Sequence, residues 1–287
     1  MKPPQFGYTA AADLDEALEA LAATGGKVLA GGQSLIPLLN MRLADPGHLV
    51  DINRIPALDA VAAQADGVRV GALARHFQAL ESDEAAAVQP LLRQALRHVA
   101  HPAIRNRGTV VGSIVHADPA AELPAVLALT GGTVTLRGRE GERALSAEEF
   151  FLGPMESAIG PAEIAREVFF PALPERSGTA FHELARRKGD FAMAGAAALV
   201  TLDADLACTA ARLVCVGTGA VPEVIDLSGL CRGWLSTSDW SAAAEAVRER
   251  IEPEDDIHAT ADYRRHLAGV LAARALSEAA ANAEARA

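Results

Sequence analysis

Apolar positions recur with two different periods along the chain, and the switches between them predict the elements. From Asp13 to Ala23 the apolar residues Leu14, Leu18 and Leu21 fall on one face of a helix that starts at Asp13. Lys27–Ala30 reads as a short strand stopped by Gly31-Gly32, and Ser34–Leu43 as a helix that holds Pro37 in its first turn, where a missing N–H is tolerated. Leu49–Ile52 and Val68–Gly71 are further short strands, so the first seventy residues predict a small α/β unit. A second unit follows. Ala85–Val99 predicts one amphipathic helix broken at His101-Pro102, Arg105–Ala117 a loop and strand, and Ala121–Thr130 a helix ended by Gly131-Gly132. Thr133–Leu136 and Glu163–Phe170 predict strands. The composition changes across Pro171–Gly178, which puts the expected domain boundary at residue 175 and divides the chain into 1–175 and 176–287. Beyond it, three strands at about 179–187, 191–202 and 207–217 precede helices at about 240–250 and 262–285. That order predicts an α+β domain, an antiparallel sheet with helices on one face. The Ala-rich stretch after Ser277 is expected to fray.

Composition narrows the function classes. Half of the 287 residues are hydrophobic, enough for two cores, and aromatics are only 4%, so Ala, Leu and Val must do the packing. No stretch reaches the roughly 18–20 apolar residues of a membrane span, and Met1–Phe6 has no apolar signal-peptide core, so a cytoplasmic protein is the expectation. The net charge of −11 and the lack of a Lys/Arg cluster speak against nucleic acid. The same charge opposes any polyanionic ligand, which local donors would have to hold. Cys208, Cys215 and Cys231 lack CxxC spacing and read as small buried hydrophobes. Three scattered thiols cannot supply the four ligands of an ordinary iron–sulfur cluster. The histidines form no ligand-like cluster, and Asp255-Asp256 reads as a solvated turn.

Two segments carry candidate chemistry. In Ala30-Gly31-Gly32-Gln33-Ser34, adjacent glycines between a strand and a helix can take positive φ and bare their N–H groups. Ser34 adds a hydroxyl that can cap the next helix. Converging donors at a helix start suit a pyrophosphate. The same residues also make a plain strand-to-helix turn, and they match neither G-x-G-x-x-G nor a P-loop. In the second segment, Arg105-Asn106-Arg107-Gly108-Thr109-Val110-Val111-Gly112-Ser113 leads into His116-Ala117-Asp118-Pro119-Ala120-Ala121-Glu122-Leu123-Pro124. So many small and hydroxyl residues are costly to order unless a ligand uses them; the alternative is a surface loop.

With Ala30–Ser34, Leu49–Ile52 and Arg186-Arg187-Lys188-Gly189-Asp190-Phe191-Ala192, this stretch resembles the FAD-binding medium subunit of molybdenum hydroxylases, the carbon-monoxide and xanthine dehydrogenase family. The resemblance runs from about Phe6 to the last helix. It implies a vanillyl-alcohol-oxidase-type (PCMH-type) FAD domain of two α/β subdomains, followed by a smaller α+β domain. It further implies that Ala30, Gly31, Gly32, Gln33 and Ser34, with Thr109, Val110, Val111, Gly112 and Ser113, hold the FAD diphosphate. Asp118 and Glu122 stand where the family has polar contacts near the cofactor, and Phe191 where relatives often place an aromatic beside the flavin. No residue is implied as catalytic and none as a metal ligand. The implied partners are a large molybdenum subunit that oxidises the substrate and a small [2Fe-2S] subunit that passes electrons to this FAD, assembled as a dimer of heterotrimers. An external acceptor then takes them.

The chain departs from the family at Val111, where a second glycine is usual; a β-branched residue disfavours positive φ and crowds a close approach. His182 stands where some relatives carry lysine. Two other readings remain: a stand-alone FAD oxidase or reductase, and a binding module that has lost FAD. The first usually carries a larger second domain; the second rests on Val111 alone.

Overall fold

The computed structural model describes residues 2–287. The chain opens with β1 (Gly7–Ala10), α1 (Leu14–Thr24), β2 (Lys27–Leu29), α2 (Leu35–Met41) and β3 (His48–Asp51). Asp13 caps α1 by accepting the Glu16 N–H at 2.8 Å, and Gly25 closes it with φ 60°. β3 lies between β1 and β2 and is parallel to both. Ala17, Leu18 and Leu21 of α1 bury against Val50 and Ile52, as the helical spacing requires.

The second unit is built on β4 (Val61–Gln64) and β5 (Gly67–Gly71), followed by α3 (His76–Glu81), α4 (Asp83–Val88), α5 (Pro90–Leu96), α6 (Pro102–Arg105), α7 (Val110–His116) and α8 (Glu122–Thr130). Then come β6 (Thr133–Gly138), β7 (Gly141–Ser146), α9 (Ala147–Phe150), a short β8–β9 pair (Phe151–Gly153, Glu156–Ser157) and β10 (Ile164–Pro171). Its antiparallel sheet has the order β4-β5-β10-β6-β7. Helix α8 is apolar on all sides and buried along almost its whole length, so it forms the centre of this unit's core.

The structure corrects three expectations for the first 175 residues. Val68–Gly71 belongs to the second sheet, because Val68 and Val70 pack into the core around α8. The single helix expected at 85–99 is two. Pro90, with no N–H, takes the first position of α5, and the Gln89 side chain turns back to the Pro171 carbonyl at 2.7 Å. Of the loop and strand expected at 105–117, residues 106–109 are a loop, and the rest is helix rather than strand. Thr109 caps α7 by accepting the Gly112 N–H at 3.0 Å, and Val110, Val111 and Ile114 bury on one face. The β-branched pair favours a strand locally, and burial overrides it.

The C-terminal unit is the antiparallel sheet β11 (Ser177–Ala185), β12 (Ala192–Leu202), β13 (Cys208–Val216) and β14 (Val224–Asp226), covered by α10 (Ser228–Cys231), α11 (Ser241–Arg250) and α12 (Ala261–Glu284). The fourth strand, only three residues long, adds to the three expected. The residues after Ser277 do not fray: Ala279, Ala280 and Ala283 are buried, and α12 lies so close to β11 that a Cβ at Gly178 would collide with the Ala279 carbonyl. Alanines on both faces make that approach possible. Polar side chains mark both ends of the contact. Arg264 donates to the carbonyls of Met193 (2.6 Å) and Gly217 (3.0 Å), and Asn282 donates to Thr179 (3.0 Å). Asp256, exposed in a turn as expected, also accepts from Arg264 at 2.6 Å and from the N–H groups of His258 and Ala259. His182 sits 2.7 Å from Glu278 across the same interface.

The Val111 backbone has no positive φ and the side chain is a core residue, so the departure from the family at this position costs nothing conformationally. Val111→Gly should therefore lower the unfolding free energy, by about 2–3 kcal/mol from the cavity and about 0.5–1 kcal/mol from helix propensity. Urea unfolding with an unchanged m-value checks this; an equally stable variant would mean that Val111 carries no core packing.

Candidate functional site

The first glycine segment leaves β2 and enters α2. Gly32 has φ 71°, a conformation that a side-chain-bearing residue adopts only under strain. The N–H groups of Gly31, Gly32, Gln33 and Ser34 make no hydrogen bond to another atom of the described residues. The Gln33 side chain folds back to the Gly31 carbonyl at 3.0 Å. Ser34 occupies the cap position of α2, but its own backbone is already helical and its hydroxyl makes no capping bond, contrary to expectation. The hydroxyl is exposed instead.

The second segment meets the first directly. A Cβ on Gly31 would lie 2.5 Å from the Arg107 carbonyl oxygen and 2.8 Å from the Gly108 Cα. Only Thr109 belongs to a loop; Val110, Val111, Gly112 and Ser113 form the first turn of α7. Val110 N–H is spent on Ala74, Gly112 on the Thr109 hydroxyl and Ser113 on the Thr109 carbonyl. The Thr109 and Val111 N–H groups have no partner among the described residues. The second segment thus offers fewer donors than the first, in agreement with its helical form. His76 packs beneath it, with its ring 2.9 Å from where a Gly108 Cβ would stand. Burial drives the His76 pKa down to about 4, so the ring is neutral there.

A polar chain that sequence patterning missed joins the two segments. The Asn53 side-chain amide donates to the Ala30 carbonyl at 2.8 Å, and it is oriented by Asp51, which accepts from the same Nδ2 at 2.7 Å and from the Asn53 backbone N–H. Burial opposes the Asp51 charge, but Tyr8 and Asn53 donate to it and hold its pKa below the usual carboxylate range. Arg75 Nη2 donates to Asn53 Oδ1 at 2.7 Å, and Nη1 to the Arg107 carbonyl at 2.6 Å. That carbonyl is the one packed against Gly31. Asn53 and Arg75 stand 22 residues apart, and nothing in the local sequence sets either apart from other polar residues. The only sequence signal was Asp51 at the end of a strand.

The other expected site residues lie toward the C-terminal sheet. Asp118 and Phe191 line one cleft of about 1080 Å³ with Met155, Arg186 and Asp190, and Phe191 is 68% exposed in it. The loop that carries Phe191 docks on the second unit through Gly189, whose Cβ would touch the His101 ring. Glu122 does not line this cleft. It is buried at the start of α8, and burial, with the Glu183 and Asp118 carboxylates nearby, pushes its pKa up to about 8. Burial also pushes Glu183 on β11 up to about 7, and one of its oxygens has no hydrogen-bond partner among the described residues. His98 Nδ1 lies 3.7 Å from the other oxygen.

The free donors of Gly31–Ser34, opposed by Thr109 across a contact that only glycine permits, fit the diphosphate of a dinucleotide cofactor. Comparison with known proteins agrees. Residues 4–173 match the model of the FAD binding domain in molybdopterin dehydrogenase, and residues 179–279 that of the CO dehydrogenase flavoprotein C-terminal domain. The alpha subunit of the 6-hydroxypseudooxynicotine dehydrogenase complex of Paenarthrobacter nicotinovorans is 41% identical over 97% of this chain and 96% of its own. Quinoline 2-oxidoreductase of Pseudomonas putida 86 superposes with a TM-score of 0.93 at 36% identity, over 99% of both chains. Carbon monoxide dehydrogenase of Hydrogenophaga pseudoflava does so with 0.92 at 33%, over 98% and 99%. The chain belongs to the FAD-binding subunit family of the molybdenum hydroxylases. FAD is its cofactor, and it is the electron-transfer component of an oxidoreductase.

The raised pKa of Glu122 makes stability depend on pH. The folded value of about 8 exceeds the unfolded value near 4.5, so the protonated carboxyl contributes stability that is present at low pH and lost as pH rises through about 8. Glu122→Gln, which cannot ionise, should melt about 2–4 °C or more above the parent at pH 8 and close to it at pH 5. Parallel melting profiles across that range would show the carboxylate to be solvated.

Proposed function

We propose that Ala30–Ser34 and Thr109–Ser113 grip the diphosphate of FAD between the first and second units, with Asp118, Glu122 and Phe191 as the remaining contacts. The observation that supports this most is the row of four unspent N–H groups on Gly31, Gly32, Gln33 and Ser34, set against Gly108 and Thr109. Backbone donors hold an anion without adding a side chain to the cleft, and they act locally, which an acidic chain requires. The free Ser34 and Thr109 hydroxyl protons add two further donors. Phe191 presents an exposed aromatic face beside Asp118. Bound FAD supplies the redox chemistry, accepting electrons singly and releasing a pair. The chain's own residues bind and orient it, and none acts on the primary substrate.

The same reading assigns the partners: a large subunit with the molybdenum centre and a small one with [2Fe-2S] clusters, in a dimer of heterotrimers. Relatives named medium chain or medium subunit support that division. So do the three free cysteines, too few for a cluster. Relatives named for nicotine, caffeine and carbon monoxide share this subunit's sequence while their substrates differ, which supports substrate choice in another chain.

Gly32→Val should weaken FAD binding by at least about 10-fold, since a β-branched residue is strained at positive φ. Titration of the deflavinated chain with FAD measures this, and wild-type affinity would remove the first segment from the site. Purification from the native host should bring down iron–sulfur and molybdenum polypeptides with flavin bands. Flavin without those partners would favour a stand-alone oxidase or reductase; partners without flavin would favour a scaffold.

A further inference from the structure

Two α/β units that form a shared binding site need something to hold the distance between their loops. Van der Waals contact at Gly31 sets only a lower limit on that distance. An upper limit needs a bond, and the structure has one continuous candidate. The Ala30 carbonyl is held by Asn53, Asn53 by Arg75, and the Arg107 carbonyl by the other arm of the same guanidinium, with donor–acceptor distances of 2.8, 2.7 and 2.6 Å. Asp51 fixes the amide orientation of Asn53 so that its oxygen faces Arg75. Arg75 starts α3, and its strand-like bridge to Thr109 aligns it with the second segment. A planar guanidinium can span two acceptors at a fixed separation, which lysine cannot.

We propose that Asn53 and Arg75 form a strut that positions the two cofactor loops at the spacing of a diphosphate, so that FAD affinity depends on two residues outside both loops. This rests on the assignment of those loops to the diphosphate. The strut ties the loops by carbonyl oxygens, so it uses none of their free N–H groups and leaves those donors for the ligand. It also puts a cation beside both loops in a chain of net charge −11. Tightening both loops from one bridge makes the two halves of the site act together: loosening either end lets both segments relax.

The test uses the full deflavinated chain titrated with FAD, with ADP and riboflavin as separate competitors. Arg75→Met and Asn53→Ala should each raise the dissociation constants of FAD and ADP about 10-fold or more and leave that of riboflavin unchanged. The double variant should be no weaker than the worse single one, because either change opens the same bridge. Arg75→Lys keeps a charge and most of the packing but spans only one acceptor; it should lose FAD affinity with an unchanged melting temperature of the apoprotein. FAD and ADP constants within twofold of the parent would overturn the strut, as would fully additive losses or equal weakening of ADP and riboflavin. Gly32→Val run alongside separates the two levels. If it loses FAD while the strut variants do not, the strut alone falls. If none loses FAD, the loop assignment itself falls.

Discussion

Gly31 lies against the Arg107–Thr109 backbone so closely that even one methyl group would be driven into the Arg107 carbonyl. This backbone-to-backbone approach is the constraint around which the rest of the molecule is arranged. At this point the unit of the three-stranded parallel sheet meets the unit of the five-stranded antiparallel one backbone to backbone. Neither sheet could supply the cradle alone: the first unit contributes most of the free N–H groups, the second the opposing wall and the capped helix α7. The next stretch of chain inherits its direction from that contact. The α7 turn ends at Ala117 in a left-handed residue, and from there Asp118 is aimed into the cleft shared with Phe191 of the third unit.

The electrostatics divide along the same line. Around the glycine segments the charges are balanced and connected, in the order Tyr8, Asp51, Asn53, Arg75. Behind α8 the opposite solution is used. Glu122 and Glu183 are buried, and burial raises both pKa values, to about 8 and about 7, so protonation becomes easier there. A buried pair of ionised carboxylates would repel across the contact between α8 and the C-terminal sheet; two neutral acids do not.

Much of this architecture was legible in the sequence. The spacing of Leu14, Leu18 and Leu21 locates α1, Gly131 stops α8, and the strands of the C-terminal sheet appear within a few residues of their positions. What escaped had tertiary causes. Pro90 divides a run whose hydrophobic period is continuous. Val110 and Val111 have strand propensity, yet a core that needs three apolar side chains from one helical face makes them helical. Short β14 gains its pairing only from β13. At the candidate site, the glycines and hydroxyls announced themselves by local chemistry. Asn53, Arg75 and Glu183 did not, because their roles come from partners far away in the chain and no local pattern encodes those meetings.

Alanine lines the contact between α12 and the C-terminal sheet on both sides. Large side chains interlock like teeth and so determine how two surfaces are offset; alanine against alanine is smooth, and a helix could slide along it by a turn at little cost. Here polar pins add to the fit of Leu267, Leu271 and Leu276 and to the close approach at Gly178 in setting the offset. Arg264 holds the Met193 and Gly217 carbonyls near the start of the helix, while Glu278 and Asn282 meet His182 and Thr179 near its end. The first pin lies next to Ala192 and Phe191. The axial position of a long, featureless helix is thereby tied to the strand end that presents the aromatic ring in the cleft, so the bland terminal helix acts as a ruler for the site.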